Sequence, residues 1–393
     1  MNKTQVCVGI IGCGTISEIY LTNLTQHFKN VKVLACADMF EEKAKQTKEK
    51  YGLSKHCTVE ELLSDPEIEI VVNLTIPAAH HEINMKALRA GKNVYCEKPL
   101  ALSIGEANEA VNYAAEKDLI LGSAPDTFLG AGLQTCRKLL DDGAIGQPIG
   151  FTANLVSPGH ELWHPAPVFY YKKGAGPMLD MGPYYITALV TLLGPIKQIS
   201  CLARTPKKER EIQGKMVEVE VPTHYTGIVE FESGVVGNVN MSFDVWNSKL
   251  PLIEIFGTTG VMQVPDPNMF GGPVKVFDGN KMSDIVKAVP DPYINRLIKM
   301  HTCEQECLTD EQLQFPAEND PRSNMRGFGV SDMAQALLSG CSSRLSGELS
   351  RHVVEALLAF EISSNENKPY IMKTSCQRPV PMSQGLELWE TDK

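Results

Sequence analysis

Five short apolar runs, each followed by a stretch of helical periodicity, fill the first third of the chain, and this alternation leaves few folds open. Val6–Ile11 has no polar residue; Val31–Ala37, residues 67–74, Asn93–Cys96 and residues 119–124 repeat the pattern. Helices are expected over residues 16–28, 41–51, 79–90 and 103–117. The third ends at Gly91, where a left-handed residue closes a helix, and Ser103 suits the N-cap of the fourth. Strands without a polar face, alternating with helices of this length, build a parallel sheet covered on both sides.

Near residue 125 the pattern changes. A helix over residues 132–141 is followed by Gly143 and Gly146, a strand over 149–156 and a helix over 181–193. Strands then succeed one another over 196–204, 217–221, 224–231, 235–243 and 252–256. Glu232-Ser233-Gly234 between two of them reads as a three-residue hairpin loop, with Gly at the position that needs a positive φ. Helices return over 330–339 and 347–363 before a Pro-rich tail. The expected fold is α/β: a doubly wound domain over residues 1–124, then an α+β domain over 125–393 whose tail is free to return to the first.

Composition excludes several functions. The chain of 393 residues has a net charge of −10 and no block of Lys and Arg, which argues against nucleic acid or an anionic membrane surface as partner. No apolar run is long enough to span a bilayer. Eleven scattered cysteines, without a Cys-x-x-Cys pair, suggest neither a disulfide framework nor a zinc site. His301, Cys303 and Cys307 come nearest to metal spacing, but a short helical stretch with buried thiols accounts for them, so no metal is expected. The first residues run directly into a strand without the apolar segment of a signal peptide, and a cytoplasmic location is expected.

Gly9-Ile10-Ile11-Gly12-Cys13-Gly14-Thr15-Ile16-Ser17 spans the junction of the first strand and first helix. Gly12 serves the tight turn. Gly14 lets the backbone, with Thr15 and Ile16 opening the helix, approach a pyrophosphate. Ser17 stands where a third Gly or Ala is usual. Asp38, 26 residues past Gly12 at the end of the second strand, is placed to accept hydrogen bonds from ribose hydroxyls, or else is a turn residue. Met39 and Phe40 follow with no Arg for a 2′-phosphate, which favours NAD over NADP; Lys43 is the feature that argues the other way.

Cys96-Glu97-Lys98-Pro99 ends the fourth expected strand. A Lys at the carboxyl end of a parallel strand lies at the edge of the ligand crevice, where Lys98 can hold a substrate oxygen and exchange a proton with it. The alternative is a surface lysine before a proline turn.

These segments, with Thr75-Ile76-Pro77-Ala78-Ala79-His80, Gly174-Ala175-Gly176-Pro177-Met178-Leu179-Asp180-Met181-Gly182 and Ser346-Gly347-Glu348-Leu349 near His352, resemble the glucose–fructose oxidoreductase / inositol dehydrogenase (Gfo/Idh/MocA) family over nearly the whole chain. The resemblance implies a Rossmann domain plus a large open, mainly antiparallel sheet that often forms subunit interfaces, hence a homodimer or homotetramer. It also implies NAD(P)-dependent oxidoreduction of a small carbohydrate or cyclitol. Thr75, Pro77, His80 and Glu97 would then lie near the nicotinamide half of the cofactor, and Lys98 would be the catalytic lysine.

Family members commonly carry Asp-x-Gly-x-His; here Asp180 is present, but Tyr184 stands at the His position. Residues at i and i+4 share a helix face, so Asp180 and Tyr184 can still address one substrate. The base is then Lys98, or it comes from elsewhere, His164 after Trp163 being the replacement to test. Asp180 also suits the N-cap of the 181–193 helix. Trp163, Tyr170, Tyr171, Tyr185 and Trp246 are either sugar-stacking surfaces or core, and His352 reads as structural. The expected function is dehydrogenation of a secondary alcohol of a sugar, glycoside or cyclitol, for instance at a pyranose 3-hydroxyl. A redox-neutral enzyme that oxidises a glycoside transiently with tightly held NAD, and a non-catalytic NAD sensor, are the alternatives.

Overall fold

A six-stranded parallel sheet forms around β1 (Val6–Ile11), whose Val8 and Ile10 are fully buried in the computed structural model. The structure describes residues 3–279, 304–306, 324–386 and 389–392; His301, Cys303 and Cys307 lie outside these residues. In chain order β1 is followed by α1 (Ser17–Gln26), β2 (Val31–Ala37), α2 (Glu41–Tyr51), β3 (Lys55–His56), α3 (Val59–Ser64), β4 (Ile70–Asn73), α4 (Pro77–Arg89), β5 (Asn93–Cys96), α5 (Ile104–Glu116) and β6 (Leu121–Ser123). The strands stand in the order β3-β2-β1-β4-β5-β6, so the winding reverses between β1 and β4. Ligands of such sheets bind beyond the carboxyl ends of the strands at that reversal. β3 and α3 escaped the sequence reading: a two-residue strand has no periodicity, although Thr58 and Glu61 form a full capping box before α3.

The second unit comprises residues 130–323 and 359–372. Its elements are α6 (Ala131–Asp141), β7 (Pro148–Val156), α7 (Gly176–Asp180), α8 (Gly182–Leu193), β8 (Ile196–Arg204), β9 (Glu209–Ile212), β10 (Lys215–Glu218), β11 (His224–Phe231), β12 (Val236–Ser242), β13 (Ile253–Gly257), β14 (Gly260–Val264), β15 (Lys275–Asp278) and β16 (Glu304–Glu306). β16 occupies part of a stretch expected to be helical. With β17 (Tyr370–Ile371), eight of these strands form a nine-stranded sheet in the order β16-β15-β14-β13-β7-β12-β11-β8-β17. All its pairings are antiparallel except β7 with β12. Gly234 closes the β11–β12 hairpin at φ +86°. β9 and β10 form a separate hairpin, of which only the strand expected over 217–221 was foreseen, shifted towards β10; α8 matches the helix expected over 181–193, and the short α7 precedes it. Every residue of α8 is buried, whereas Leu202, Ile228, Val236 and Ile371 on the sheet are exposed.

The last seventy residues divide between the two units, with the return of the tail to the first that the sequence left open. The first unit comprises residues 1–129 together with 324–358 and 373–393. α9 (Phe328–Ser339) belongs to it, and α10 (Gly347–Glu366) begins in it and ends in the second unit. Polar groups far apart in sequence hold α9 there. Asn23 Nδ2 donates to the carbonyls of Asn324 and Arg326, and Asn30 Nδ2 to that of Ser331. The Asp126 carboxylate accepts the N–H groups of Gly327 and Gly329, each at 3.0 Å, and Phe28 stacks on Phe328. Buried Glu355 accepts the N–H groups of Lys373 and Thr374, and His352 lies fully buried against Thr374, the structural role expected of it.

Burial pushes the Asp126 carboxyl up to about 6, partly opposed by the Gly329 N–H, the Arg326 charge and the Gly327 N–H. A folded-state value above that of the unfolded chain makes the stabilisation complete below about pH 4 and progressively lost as pH rises through 6. The stability of the wild type relative to Asp126→Asn is therefore expected to fall by about 2 kcal/mol between pH 4 and pH 7. Urea midpoints across that range measure it, and a pH-independent difference would contradict it.

Candidate active site

The turn after β1 must be glycine at one position and is open at the next. Gly12 has φ +100°, and a Cβ there would lie 2.7 Å from the carbonyl carbon and oxygen of Leu74 at the end of β4. A Cβ on Gly14 would meet nothing within 4 Å. Thr15 and Ile16 are exposed beside it, and α1 starts without a side-chain cap. Ser17 fills the third small position, its buried hydroxyl donating to the Gly14 carbonyl at 2.6 Å. Half-buried Asp38 is held by both oxygens, Oδ2 accepting the Cys13 N–H at 2.8 Å and Oδ1 that of Phe40 at 2.9 Å. Space for a pyrophosphate at a helix N-terminus and a fixed carboxylate for a ribose suit a dinucleotide.

β4 ends in a second turn that the sequence reading understated. Fully buried Asn73 donates to the His80 carbonyl and to Asn84, while its Oδ1 accepts the N–H and hydroxyl of Thr75. Pro77 then starts α4 at a position whose N–H would have no partner. His80, expected near the nicotinamide, sits in the wall between the two turns. It is 1% exposed, with Nδ1 2.7 Å from the Pro99 carbonyl and Nε2 3.0 Å from that of Thr75. Burial lowers its proton affinity while the two carbonyls oppose the shift. Placed between these two carbonyls, the ring links the Thr75 turn to the Lys98 turn.

Glu97 fixes that second turn from below. Its N–H donates to the Asn73 carbonyl, its Oε1 accepts the Tyr20 hydroxyl at 2.7 Å, and its Oε2 accepts the Lys98 N–H at 2.9 Å. Burial together with Glu97 keeps Tyr20 protonated and therefore a donor. With both oxygens engaged, Glu97 supports the turn, and half-buried Lys98 follows it at the carboxyl end of β5.

The second unit brings other groups together. Asp180 ends α7 and does not cap α8, whose N-cap is Met181 without a side-chain bond. Its Oδ2 lies 3.4 Å from Nε2 of His160, and both side chains are largely buried. The His160 ring stacks on Tyr170 at 3.9 Å and meets the edge of Phe243 at 4.4 Å. Its Nδ1 is buried with no hydrogen-bond partner among the described residues. A carboxylate beside an imidazole can hold one ring proton while the other nitrogen exchanges one. His160 was missed because it comes from a loop with no helical spacing to Asp180. His164, expected in this role, is four residues on; its Nδ1 accepts the Ala166 N–H and its ring meets the edges of Trp163 and Tyr170. Tyr184 is 7% exposed. Of the aromatic residues singled out, Tyr171 and Tyr185 are core, whereas Trp163 and Trp246 are 67% and 72% exposed.

Beneath His160, Arg210 on β9 is buried between carboxylates. Nη1 bonds Glu161 Oε1 at 2.6 Å, and Nη2 bonds Asp244 Oδ1 and the Phe243 carbonyl. Tyr171 donates its hydroxyl to Glu161 and accepts the His160 N–H at 3.1 Å. Burial pushes the Glu161 carboxyl up, but Tyr171 and Arg210 outweigh it and hold the group below the usual carboxylate range.

The first unit is thus built to bind a dinucleotide, which places the chain among nucleotide-dependent enzymes of the doubly wound class. Comparison with known proteins narrows that class. Residues 6–124 match the oxidoreductase family with an NAD-binding Rossmann fold, and residues 133–263 match the GFO/IDH/MocA C-terminal domain: the chain belongs to the Gfo/Idh/MocA family of NAD-binding oxidoreductases. Myo-inositol 2-dehydrogenase of Thermotoga maritima is 25% identical over 254 residues, 64% of this chain and 73% of that enzyme. 1,5-Anhydro-D-fructose reductase of Ensifer adhaerens is 27% identical over 258 residues, again 64% and 73% of the two chains. Levoglucosan dehydrogenase, solved with NADH and L-sorbose, shares the fold at a TM-score of 0.78 and 19% identity, over 95% of this chain and 100% of that one. Among the described residues no helix is long and apolar enough to cross a membrane.

Proposed function

We propose that this chain is an NAD-dependent dehydrogenase acting on a secondary alcohol of a sugar, glycoside or cyclitol. The observation that carries the reading is Lys98, set at the carboxyl end of β5 by a Glu97 whose two oxygens are both engaged below it. The relatives named for inositol and anhydrofructose chemistry support the substrate class. Bound NAD supplies the hydride acceptor. Lys98 holds the carbinol oxygen and takes its proton, while Asp180 and Tyr184 orient the ring that bears it. His160, beside Asp180, is a better candidate than His164 for the second proton carrier. Asp38 followed by Met39 and Phe40 favours NAD over NADP, and exposed Trp163 offers a face for a sugar ring. The exposed Leu202, Ile228, Val236 and Ile371 suit burial against a second copy of the chain, in a dimer or tetramer.

Absorbance at 340 nm, with NAD and then NADP, across monosaccharides, glycosides and inositols tests the reading. NADH formation confined to one polyol group is the expected result. Silence across the panel, with NAD retained on the purified protein and glycoside cleaved, would replace it with the redox-neutral reading.

A further inference from the structure

Arg210 is more deeply buried than any structural need of its hairpin explains. Its side chain is 1% exposed on the two-stranded β9–β10 hairpin, which stands outside the nine-stranded sheet. Taking a guanidinium and two carboxylates out of water contributes little net stability, since desolvation offsets the attraction. The arrangement does give geometric definition, because the planar guanidinium bonds several acceptors in fixed directions.

Three of its four acceptors flank His160; the fourth, Asp244, is held by Thr223 and Ser242 instead. Glu161 is the next residue in the chain, and the Pro158 carbonyl, two residues before, accepts from Nη1 at 3.2 Å. Phe243, whose carbonyl accepts from Nη2, places its ring edge on the imidazole. Tyr171 lies under the guanidinium at 4.6 Å and receives the His160 N–H. Gly159 makes room for this contact: at φ +117°, a Cβ there would lie 2.5 Å from Arg210 Nη1 and 2.6 Å from the Tyr171 hydroxyl. Residues on both sides of His160, its backbone N–H and one of its ring neighbours are therefore tied to one side chain.

We infer that Arg210 is a positioning residue, clamping the 158–163 loop so that the His160 imidazole is held against Asp180. The inference rests on the assignment of the His160–Asp180 pair to the active site, and its test separates the two. Arg210→Lys keeps the charge but loses the multiple directed bonds, and Tyr171→Phe removes the hydroxyl while leaving Arg210 in place. Hydrogen exchange without substrate is expected to show the 158–163 amides losing protection in both variants, with the nine-stranded sheet still protected. With the alcohol found in the 340 nm panel, Arg210→Lys is expected to lower kcat about 100-fold. NAD affinity, read by calorimetry, should not change. In a His160→Asn background the same substitution should add little, because the two act through one group. Unchanged loop protection in both variants overturns the clamp. A full additional loss of kcat in the His160→Asn background overturns its action through His160. If wild-type protein oxidises no alcohol, the dehydrogenase reading fails, and the exchange experiment alone decides whether Arg210 holds the loop.

Discussion

Lys98→Met is expected to fold, bind NAD and oxidise its alcohol about 1,000-fold more slowly than the wild type. The methionine retains most of the apolar stem, and the groups that shape the turn remain: Glu97 still bonds Tyr20 and the N–H of residue 98, and His80 still spans the Thr75 and Pro99 carbonyls. What disappears is the amine at the end of β5 proposed to hold the carbinol oxygen and take its proton. The loss should appear in kcat and kcat/KM together, since a proton acceptor acts in the transition state more than in binding. Steady-state kinetics on the best substrate, with NAD binding measured separately, check it. A rate within tenfold of wild type would falsify the assignment of Lys98 and direct attention to His160.

Gly12→Ala attacks the fold of the same site. At φ +100° any side chain is strained, and the new methyl would lie 2.7 Å from backbone atoms of Leu74, which cannot rotate away as a side-chain tip could. The cost should be about 3–5 kcal/mol, a large part of the stability of an ordinary domain. Gly14→Ala is the matched control. Its methyl meets no protein atom within 4 Å, so the urea midpoint should hold while NAD affinity falls, because the methyl enters the space a pyrophosphate needs. If both variants unfold alike, the turn is not constrained as described.

Much of the first unit was legible because its signals are local. Gly12, Gly14 and Asp38 follow from a strand, a turn and the next strand; for Lys98 the strand end left a surface lysine equally open, and the resemblance to the family decided it. Tertiary pairing without a local pattern was not legible. β3 is two residues long and exists because Lys55 and His56 pair with Ala35 and Cys36. α9 joins the first unit through Asn23, Asn30 and Asp126, three polar residues that look like surface until their partners some 200 to 300 positions away are known. The active-site imidazole shows the same limit. Helical spacing pointed to Tyr184 and proximity in the chain to His164, whereas His160 comes beside Asp180 through an arginine fifty residues further on. A glycine before the histidine and a glutamate after it were the visible trace, and neither identifies a clamp by itself.

The two N–H groups that satisfy Asp126 bear on how the chain is made. They belong to residues 201 and 203 positions further along, so when the strands of the dinucleotide-binding unit leave the ribosome their cover has not been synthesised. At ordinary rates of translation the interval is roughly 10–40 s. During it Asp126 is wet and ionised, and the apolar surface that meets Phe328 is bare. Cover for this part of the cofactor domain therefore arrives late. Its Asp126 contacts are completed only when residues 327–329, some 200 positions after Asp126, have emerged.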